Sequence, residues 1–350
     1  MTKSKMKKIV IHSAGGYERL KVEEGECNSP NADEVMIQVS YAGVNYADSL
    51  VRLGVYSSAK HYIGWPITPG FEVSGIIIAV GEAVSRFKIG DQVMAFTRFN
   101  GYSSVLNVRE EQVIALPSHF NLSEGAAFPA VYMTAYYSLF QIFNLPKAGA
   151  KILVHSAGGG VGTALVQLAK IKGIFVVGIV GNGSKIEFVK NNGADLVFNK
   201  SDSDFSWDLI SKAVPGGFDA VYDANGYTTL KESYQLTRST GKLVVYGSHS
   251  LIPKSGGRLN LLKAAWGIFK TPKFDAMKMI TENKSLICFN VSFLFEEKEM
   301  VSETIKGLTE IINENKLKPA KVNEFLFSDV AKAHQYIESG LSVGKIVLKM

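Results

Sequence analysis

The chain carries its most readable chemistry in KILVHSAGGGVGTALVQLAK, residues Lys151 to Lys170, where glycines stand at spacings that suit a phosphate. Ala157-x-Gly159-x-x-Gly162 matches the dinucleotide fingerprint G-x-G-x-x-G/A with Ala157 in place of the first glycine. In such a turn the middle glycine lets the backbone approach a pyrophosphate, and the helix behind it offers unpaired N–H groups and a positive dipole end. Ala157, Gly159, Gly160, Val161 and Gly162 are the expected cradle. Taken alone, the same glycines would serve a plain strand-to-helix turn equally well.

A second polar cluster follows at Gly181-Asn182-Gly183-Ser184-Lys185. An acid usually stands ~20 residues beyond such glycines, where it binds a ribose 2′-hydroxyl. Here there is none, and a lysine is present instead. Ser184-x-x-Glu187 reads as a capping box that opens a helix and presents Ser184 and Lys185 to an adenosine ribose. On their own, Ser184 could simply cap and Lys185 simply be solvated.

Other reactive types are sparse. Cys27 and Cys288 are the only cysteines and are far apart, so neither a disulfide framework nor a cysteine-rich metal site can be assembled. The six histidines, His12, His61, His119, His155, His249 and His334, are dispersed, and no Cys/His or Ser/His pair stands out. Asn45 follows a strand pattern and reads either as a turn residue or as an amide aimed at a ligand. Tyr56, Tyr62 and Trp65 precede Pro66, and Tyr132, Tyr136 and Tyr137 crowd one helix start; such clusters pack a core or wall a planar substrate.

The elements that must position these residues follow from periodicity. Ile152-Leu153-Val154 is a short buried-strand run, and Val161, Ala164, Leu165, Leu168 and Ala169 then fall on one helical face. Ile174–Val180, Leu196–Phe198, Phe218–Tyr222, Leu243–Tyr246 and Leu286–Val291 continue the series of strands between helical patterns, which predicts a doubly wound parallel sheet. The first part of the chain alternates differently. Lys7–His12, Glu34–Ser40, Phe71–Val80 and Gln92–Phe96 read as strands of a β-rich domain. Ser123 to Asn144 turns helical, and Pro146 with Gly149 separates that helix from the first strand of the parallel sheet. Late in the chain come a helix over Glu296–Asn315, a strand over Val322–Phe327, a helix over Asp329–Glu338 and a strand over Gly344–Lys349. That last strand needs a partner, so the C-terminus is expected to return to the N-terminal domain.

With 350 residues, 46% hydrophobic and 20% charged, the chain is long enough for two domains and ordinary for a globular protein. Its net charge of +6 comes from 38 basic and 32 acidic residues scattered along the chain, which favours a solvated surface over a nucleic-acid site. Lys3, Lys5, Lys7 and Lys8 precede an apolar run too short for a secretory segment, and no window approaches the ~18 apolar residues of a membrane span. A cytoplasmic protein is expected.

YAGVNYADSLVRLGVY, TPGFEVSGIIIAVG, GDQVMAF, HSAGGGVG and the terminal VGKIVLKM together resemble the medium-chain dehydrogenase/reductase superfamily, in its zinc-independent quinone oxidoreductase branch. Arg258 to Asn290, with LNLLKAAWGIFK, looks most like the VAT-1 homologue group. The resemblance spans essentially the whole chain. It implies an α/β fold: a Rossmann domain over 130–295 beside a discontinuous GroES-like β-rich catalytic domain over 1–129 and 296–350. Asn45 and Phe71 stand where zinc-dependent relatives place a catalytic Cys and His, and an amide and a phenyl ring cannot supply zinc's donors. No metal is therefore expected.

The resemblance, with the missing acid, favours NADPH as cofactor, its 2′-phosphate near Asn182, Ser184 and Lys185. Lys200 is a further candidate, where the family often has a tyrosine. It further implies a nicotinamide in the cleft between domains, touched by Asn45, Thr134 and Tyr137, with Asn225, Gly247 and Phe289 lining the rest. Tyr56, Tyr62 and Trp65 would lie at the substrate mouth. Asn45 and Tyr137 would donate hydrogen bonds to a developing oxyanion on a quinone or enone. Two alternatives stay open: a medium-chain 2-enoyl reductase, and a VAT-1-like NADP-binding protein whose main task is interaction with membranes or partners. The latter rests on Leu251–Asn283, where Lys254, Arg258, Lys263, Lys270, Lys273 and Lys278 interleave with Leu259, Leu261, Leu262, Trp266, Ile268 and Phe269. A lid or subunit interface is the favoured reading of that segment. A homodimer joined through Leu286–Val291 is expected by the same resemblance.

Overall fold

The computed structural model describes residues 4–142, 148–252, 254, 257–314 and 316–350. Lys3, Asn144, Pro146 and Asn315, named above, lie outside the described residues. The chain divides into two compact units, one of residues 1–133, 254–258 and 291–350, the other of 134–253 and 259–290.

The second unit is built on one six-stranded sheet. Its order across the sheet is Leu196–Asn199, Phe175–Val180, Lys151–Val154, Phe218–Asp223, Thr237–Val245 and Ser285–Cys288, and every pairing is parallel. Parallel strands are covered on both faces and so read as unbroken apolar runs. Leu153, Val177, Ile179, Val221 and Leu243 accordingly lie buried in one core with Ile210, Phe218 and Leu236. Strand order reverses between Lys151–Val154 and Phe218–Asp223, the switch point where such sheets open a crevice at their carboxyl ends. The helix Gly160–Ile171 follows the central strand as expected. The last strand is shorter than its sequence suggests: pairing ends at Cys288, and Val291–Phe293 turns into a 3-10 helix.

The first unit holds a seven-stranded, mainly antiparallel sheet in which Glu34–Val44 pairs with Glu72–Val80, Val105–Arg109 and the C-terminal strand Lys345–Lys349. The chain end therefore does return to the N-terminal unit. Lys345–Lys349 also takes Val322–Leu326 as a parallel neighbour. The strand Ser4–Val10 pairs separately with Lys21–Cys27, whose charged sequence KVEEGEC shows no apolar alternation. Their register sets Lys5 opposite Glu26, Lys7 opposite Glu24 and Lys8 opposite Glu23, so these three lysines belong to a cross-strand charge ladder.

Candidate functional site

All six parallel strands deliver a candidate cofactor residue just past their carboxyl ends. Ala157 follows Lys151–Val154, Asn182 follows Phe175–Val180, Lys200 follows Leu196–Asn199, Asn225 follows Phe218–Asp223, Gly247 follows Thr237–Val245, and Phe289 follows Ser285–Cys288. Because the strands are parallel, these positions share one edge of the sheet.

The glycine turn is shaped by two different needs. A Cβ on Gly162 would lie 2.4 Å from the Ser156 carbonyl oxygen and 2.7 Å from Ala157 Cα, so this glycine lets the helix press against the turn. A Cβ on Gly159 would meet only Ser156 O, at 3.3 Å, so the surrounding protein leaves that side open to a ligand. Gly159 caps the helix, whose leading N–H groups, at Gly160, Val161 and Gly162, have no acceptor within the helix. A pyrophosphate fits this cradle.

Lys185 lies across the turn, its stem as close as 3.0 Å to the place a Gly158 Cβ would take. Burial, and then the charge of Lys200, hold its ammonium below the ordinary lysine range. Lys200 in turn lies beside Gly181, its Cε 3.4 Å from the corresponding Cβ position. Two like charges thus adjoin the cradle, an arrangement relieved by an anion. Asn182, not Ser184, caps the local turn: its Oδ1 accepts from the Ser184 N–H at 3.0 Å, and the helix Ile186–Asn191 begins only after a 3-10 turn over Gly183–Lys185. The Ser184–Glu187 capping box expected from the sequence is not formed, because Ser184 sits inside that 3-10 turn.

At the other end of the sheet edge, Tyr137 meets Phe289 edge-on at 5.3 Å, and Tyr246 stacks on Phe289 at 6.3 Å. Tyr137 opens a π-helical turn, Tyr137–Gln141, that continues the helix Pro129–Tyr136 with Thr134; such turns recur at functional sites. A Cβ on Gly247 would stand 2.7 Å from Ala224 O, so this glycine admits the neighbouring strand end next to Asn225. Asn225 is held by Ser156, whose hydroxyl donates to its Oδ1 at 3.0 Å, and by His155 behind it. Tyr246 and His155 carried no assignment from the sequence. An apolar run ending in Tyr and a His before glycines gave no signal of these roles.

In the first unit Asn45 ends the strand Glu34–Val44 and precedes the helix Tyr46–Arg52. Its backbone N–H donates to Asp48 at 2.8 Å, and the other Asp48 oxygen accepts from the Gly70 N–H. Its side chain donates to Glu72 Oε1 at 2.8 Å and accepts from Lys345 Nζ at 3.1 Å. Lys345 Nζ also lies 2.6 Å from Glu72 Oε1, and both residues are buried. The three proposed aromatic substrate residues do not form one wall. Tyr56 packs edge-on against Phe71 and Phe99, whereas Tyr62 meets His61 and Phe293 and carries the Arg98 guanidinium 3.9 Å above its ring. Trp65 is exposed and joins neither group among the described residues.

Zinc does not fit at Asn45 and Phe71. The amide is engaged, the phenyl ring packs on Tyr56, and of the two carboxylates near Asn45, Glu72 already faces an ammonium and Asp48 accepts from the Asn45 and Gly70 N–H groups. Among the described residues, no group of three or more His, Cys, Asp or Glu is placed to hold a metal ion.

A parallel six-stranded sheet with this order and glycine turn, in a chain whose other unit is β-rich and closed by the last strand, defines a dehydrogenase/reductase of the GroES-like and Rossmann type. Comparison with known sequences agrees: the alcohol dehydrogenase GroES-like domain family matches residues 31–138 and the zinc-binding dehydrogenase family residues 160–303. The synaptic vesicle membrane protein VAT-1 homologue of Rattus norvegicus is 32% identical over 343 residues, 97% of this chain and 83% of that one. Among solved structures, the CurK enoyl reductase superposes with a TM-score of 0.83 at 27% identity, covering 99% of both chains. The Escherichia coli quinone oxidoreductase complexed with NADPH gives 0.82 at 25% identity, covering 98% of this chain and 100% of that one. The chain belongs to the VAT-1-like group of the medium-chain dehydrogenase/reductase superfamily.

Proposed function

We propose that this protein is a metal-independent, NADPH-dependent oxidoreductase that transfers hydride to a quinone or an α,β-unsaturated carbonyl. The observation that carries this reading is the convergence of six candidate cofactor residues at the carboxyl ends of six parallel strands, with Lys185 and Lys200 beside the glycine turn. It is supported by similarity to a quinone oxidoreductase described with NADPH and to an enoyl reductase. A 2-enoyl acceptor is the close alternative, since a conjugated carbonyl needs the same donor geometry.

Bound NADPH supplies the hydride; the chain's residues supply its place and the polar contacts. Gly160, Val161 and Gly162 would take the pyrophosphate, and Asn182, Lys185 and Lys200 the 2′-phosphate, with Ser184 in the same turn. Asn225, Gly247, Phe289, Thr134 and Tyr137 would surround the nicotinamide. Asn45, through an amide N–H, and Tyr137, through its hydroxyl, would donate to the acceptor oxygen as negative charge develops there. The test is NADPH consumption with ortho- and para-quinones and 2-alkenals, run beside NADH. Tight NADPH binding without reduction of any acceptor would overturn the reading.

A second reading draws on one observation. The helices Leu261–Lys270 and Ala276–Glu282 expose Leu262 at 84%, Phe269 at 78% and Met277 at 70%, with Lys263, Lys270, Lys273 and Lys278 around them. A basic rim about an apolar face suits an anionic lipid surface, and a relative bears the name of a vesicle membrane protein. No helix among the described residues is long and apolar enough to cross a membrane, so contact would be peripheral. Flotation with vesicles of anionic and of neutral lipid decides: binding to neither removes the lipid surface. The edge strand Ser285–Cys288 remains our candidate for pairing with a second copy, and cytoplasmic residence our proposal for its location.

A further inference from the structure

Asn45 is set in an asymmetric cage. On one side lies a group that can only accept, the Glu72 carboxylate, 2.8 Å from Asn45 Nδ2. On the other lies a group that can only donate, the Lys345 ammonium, 3.1 Å from Asn45 Oδ1. Turning the amide over would face carbonyl oxygen with carboxylate and N–H with ammonium, so the pair fixes its sense. Both cage walls are tied to the backbone. Lys345 Nζ donates also to the Val44 carbonyl at 2.6 Å, and Glu72 Oε2 accepts from the Ala130 N–H at 2.8 Å. A Cβ on Gly43 would lie 2.5 Å from Glu72 Oε1 and 2.4 Å from Ala126 O, so the chain closes tightly around the carboxylate.

We propose that Lys345 is a positioning residue: its ammonium, balanced by Glu72, holds the Asn45 amide so that the second Nδ2–H points away from the cage toward the substrate's oxygen. An amide nitrogen carries two hydrogens; Glu72 takes one, and Asn45 as a residue is only half-buried. The lysine acts through the amide and does not itself touch the reacting atoms. This assignment rests on the hydride-transfer reading of Asn45.

Removing the ammonium alone would leave a buried carboxylate unpaired and could unfold the protein, so the decisive variant is the neutral pair Glu72→Gln/Lys345→Met, studied beside Lys345→Met. We expect the double variant to melt close to the wild type and to bind NADPH with a Kd within about threefold, while kcat for the acceptor falls by at least about tenfold, as for a misplaced donor. A folded double variant whose kcat stays within about threefold of wild type would overturn the proposal. The second readout needs no turnover: the Asn45 side-chain amide resonances, identified by their loss in Asn45→Ser. They should show slow solvent exchange in the wild type and fast exchange in the double variant; unchanged exchange would also overturn it. A wild-type enzyme that reduces no acceptor would remove the hydride-transfer reading, and the amide resonances would then decide the lysine's role alone.

Discussion

The side-chain amide of Asn225 donates to His155 Nδ1 across 3.3 Å, and so ties the end of the strand Phe218–Asp223 to the strand on the other side of the switch point. Accepting at Nδ1 places the imidazole proton on Nε2, which donates to Ser233 Oγ at 2.9 Å; that hydroxyl donates in turn to Asp223 Oδ2 at 2.7 Å. His155, Asp223 and Ser233 have no exposed surface. Burial holds the imidazole below its ordinary pKa, so it stays neutral and keeps Nδ1 as an acceptor. The Ser233 and Thr229 hydroxyls and the Gly226 N–H all donate to Asp223, which favours its carboxylate form against the cost of its burial. The resemblance to a nucleophilic triad is geometric only, since Ser233 Oγ is sealed in the core and its proton is committed to Asp223.

Removing the central hydroxyl with Ser233→Ala should therefore leave His155 Nε2 without its acceptor and take from Asp223 Oδ2 one of its two hydroxyl donors, the other being Thr229. We expect a loss of about 1–3 kcal/mol in urea unfolding, together with weaker NADPH binding as Asn225 loses its fixed orientation. Stability within a few tenths of a kcal/mol of wild type would show that the relay holds nothing in place.

The two lysines beside the glycine turn carry a discrimination that can be measured directly. If Lys185 and Lys200 bind a 2′-phosphate, Lys185→Ala and Lys200→Ala should each weaken NADPH by about tenfold, the scale of one charge-assisted contact, and leave NADH little changed. Equal effects on both nucleotides would assign the lysines to the fold.

The strands of the parallel sheet were legible because burial on both faces leaves unbroken apolar runs, and the glycine turn because its spacing is constrained by backbone approach. Lys21–Cys27 was not, since its stabilising neighbours are the lysines of Ser4–Val10 and an exposed charge ladder has no hydrophobic period. The site shows the same division. Residues adjoining a motif, such as Gly159 and Lys185, could be named from spacing. Lys345 could not: the terminal strand showed only its β character, and the ammonium's partners Asn45 and Glu72 lie at the opposite end of the chain.

Two buried groups set opposing slopes in the pH dependence of stability. Burial first, and then Arg52, hold His334 down to about 3 from 6.5, so its contribution is full above pH 6.5 and is lost as the pH falls toward 3. Asp48 is pushed up to about 7 from 3.8 by its burial, against the N–H groups of Asn45 and Gly70 and the nearby Lys345; its contribution is full below pH 3.8 and is lost as the pH rises through 7. Between those limits the two oppose each other. Asp48→Asn should make stability fall more steeply on acidification from pH 6.5 to 4, by about 1.4 kcal/mol per pH unit, and His334→Gln should make it fall less steeply by a similar amount. Urea melts at half-unit intervals measure both slopes, and parallel curves for all three proteins would sink the assignment.

The glycine turn offers the sharpest separation of fold from function. At Gly162 an added methyl meets backbone atoms at 2.4 and 2.7 Å that are fixed by the strand and helix they belong to. Gly162→Ala should cost about 1–3 kcal/mol through overpacking, seen in thermal and urea melts without any ligand. At Gly159 the nearest atom is 3.3 Å away, and its φ of −91° lies where any residue is at ease, so Gly159→Ala should fold with stability near that of wild type. Its methyl would project into the space we propose for the pyrophosphate. NADPH affinity should then fall by at least about tenfold, since a phosphate that cannot close on the backbone loses the N–H contacts that hold it. A stable Gly159→Ala variant that binds NADPH as the wild type does would place the cofactor elsewhere, because no nucleotide can lie in that cradle and ignore a methyl at its centre.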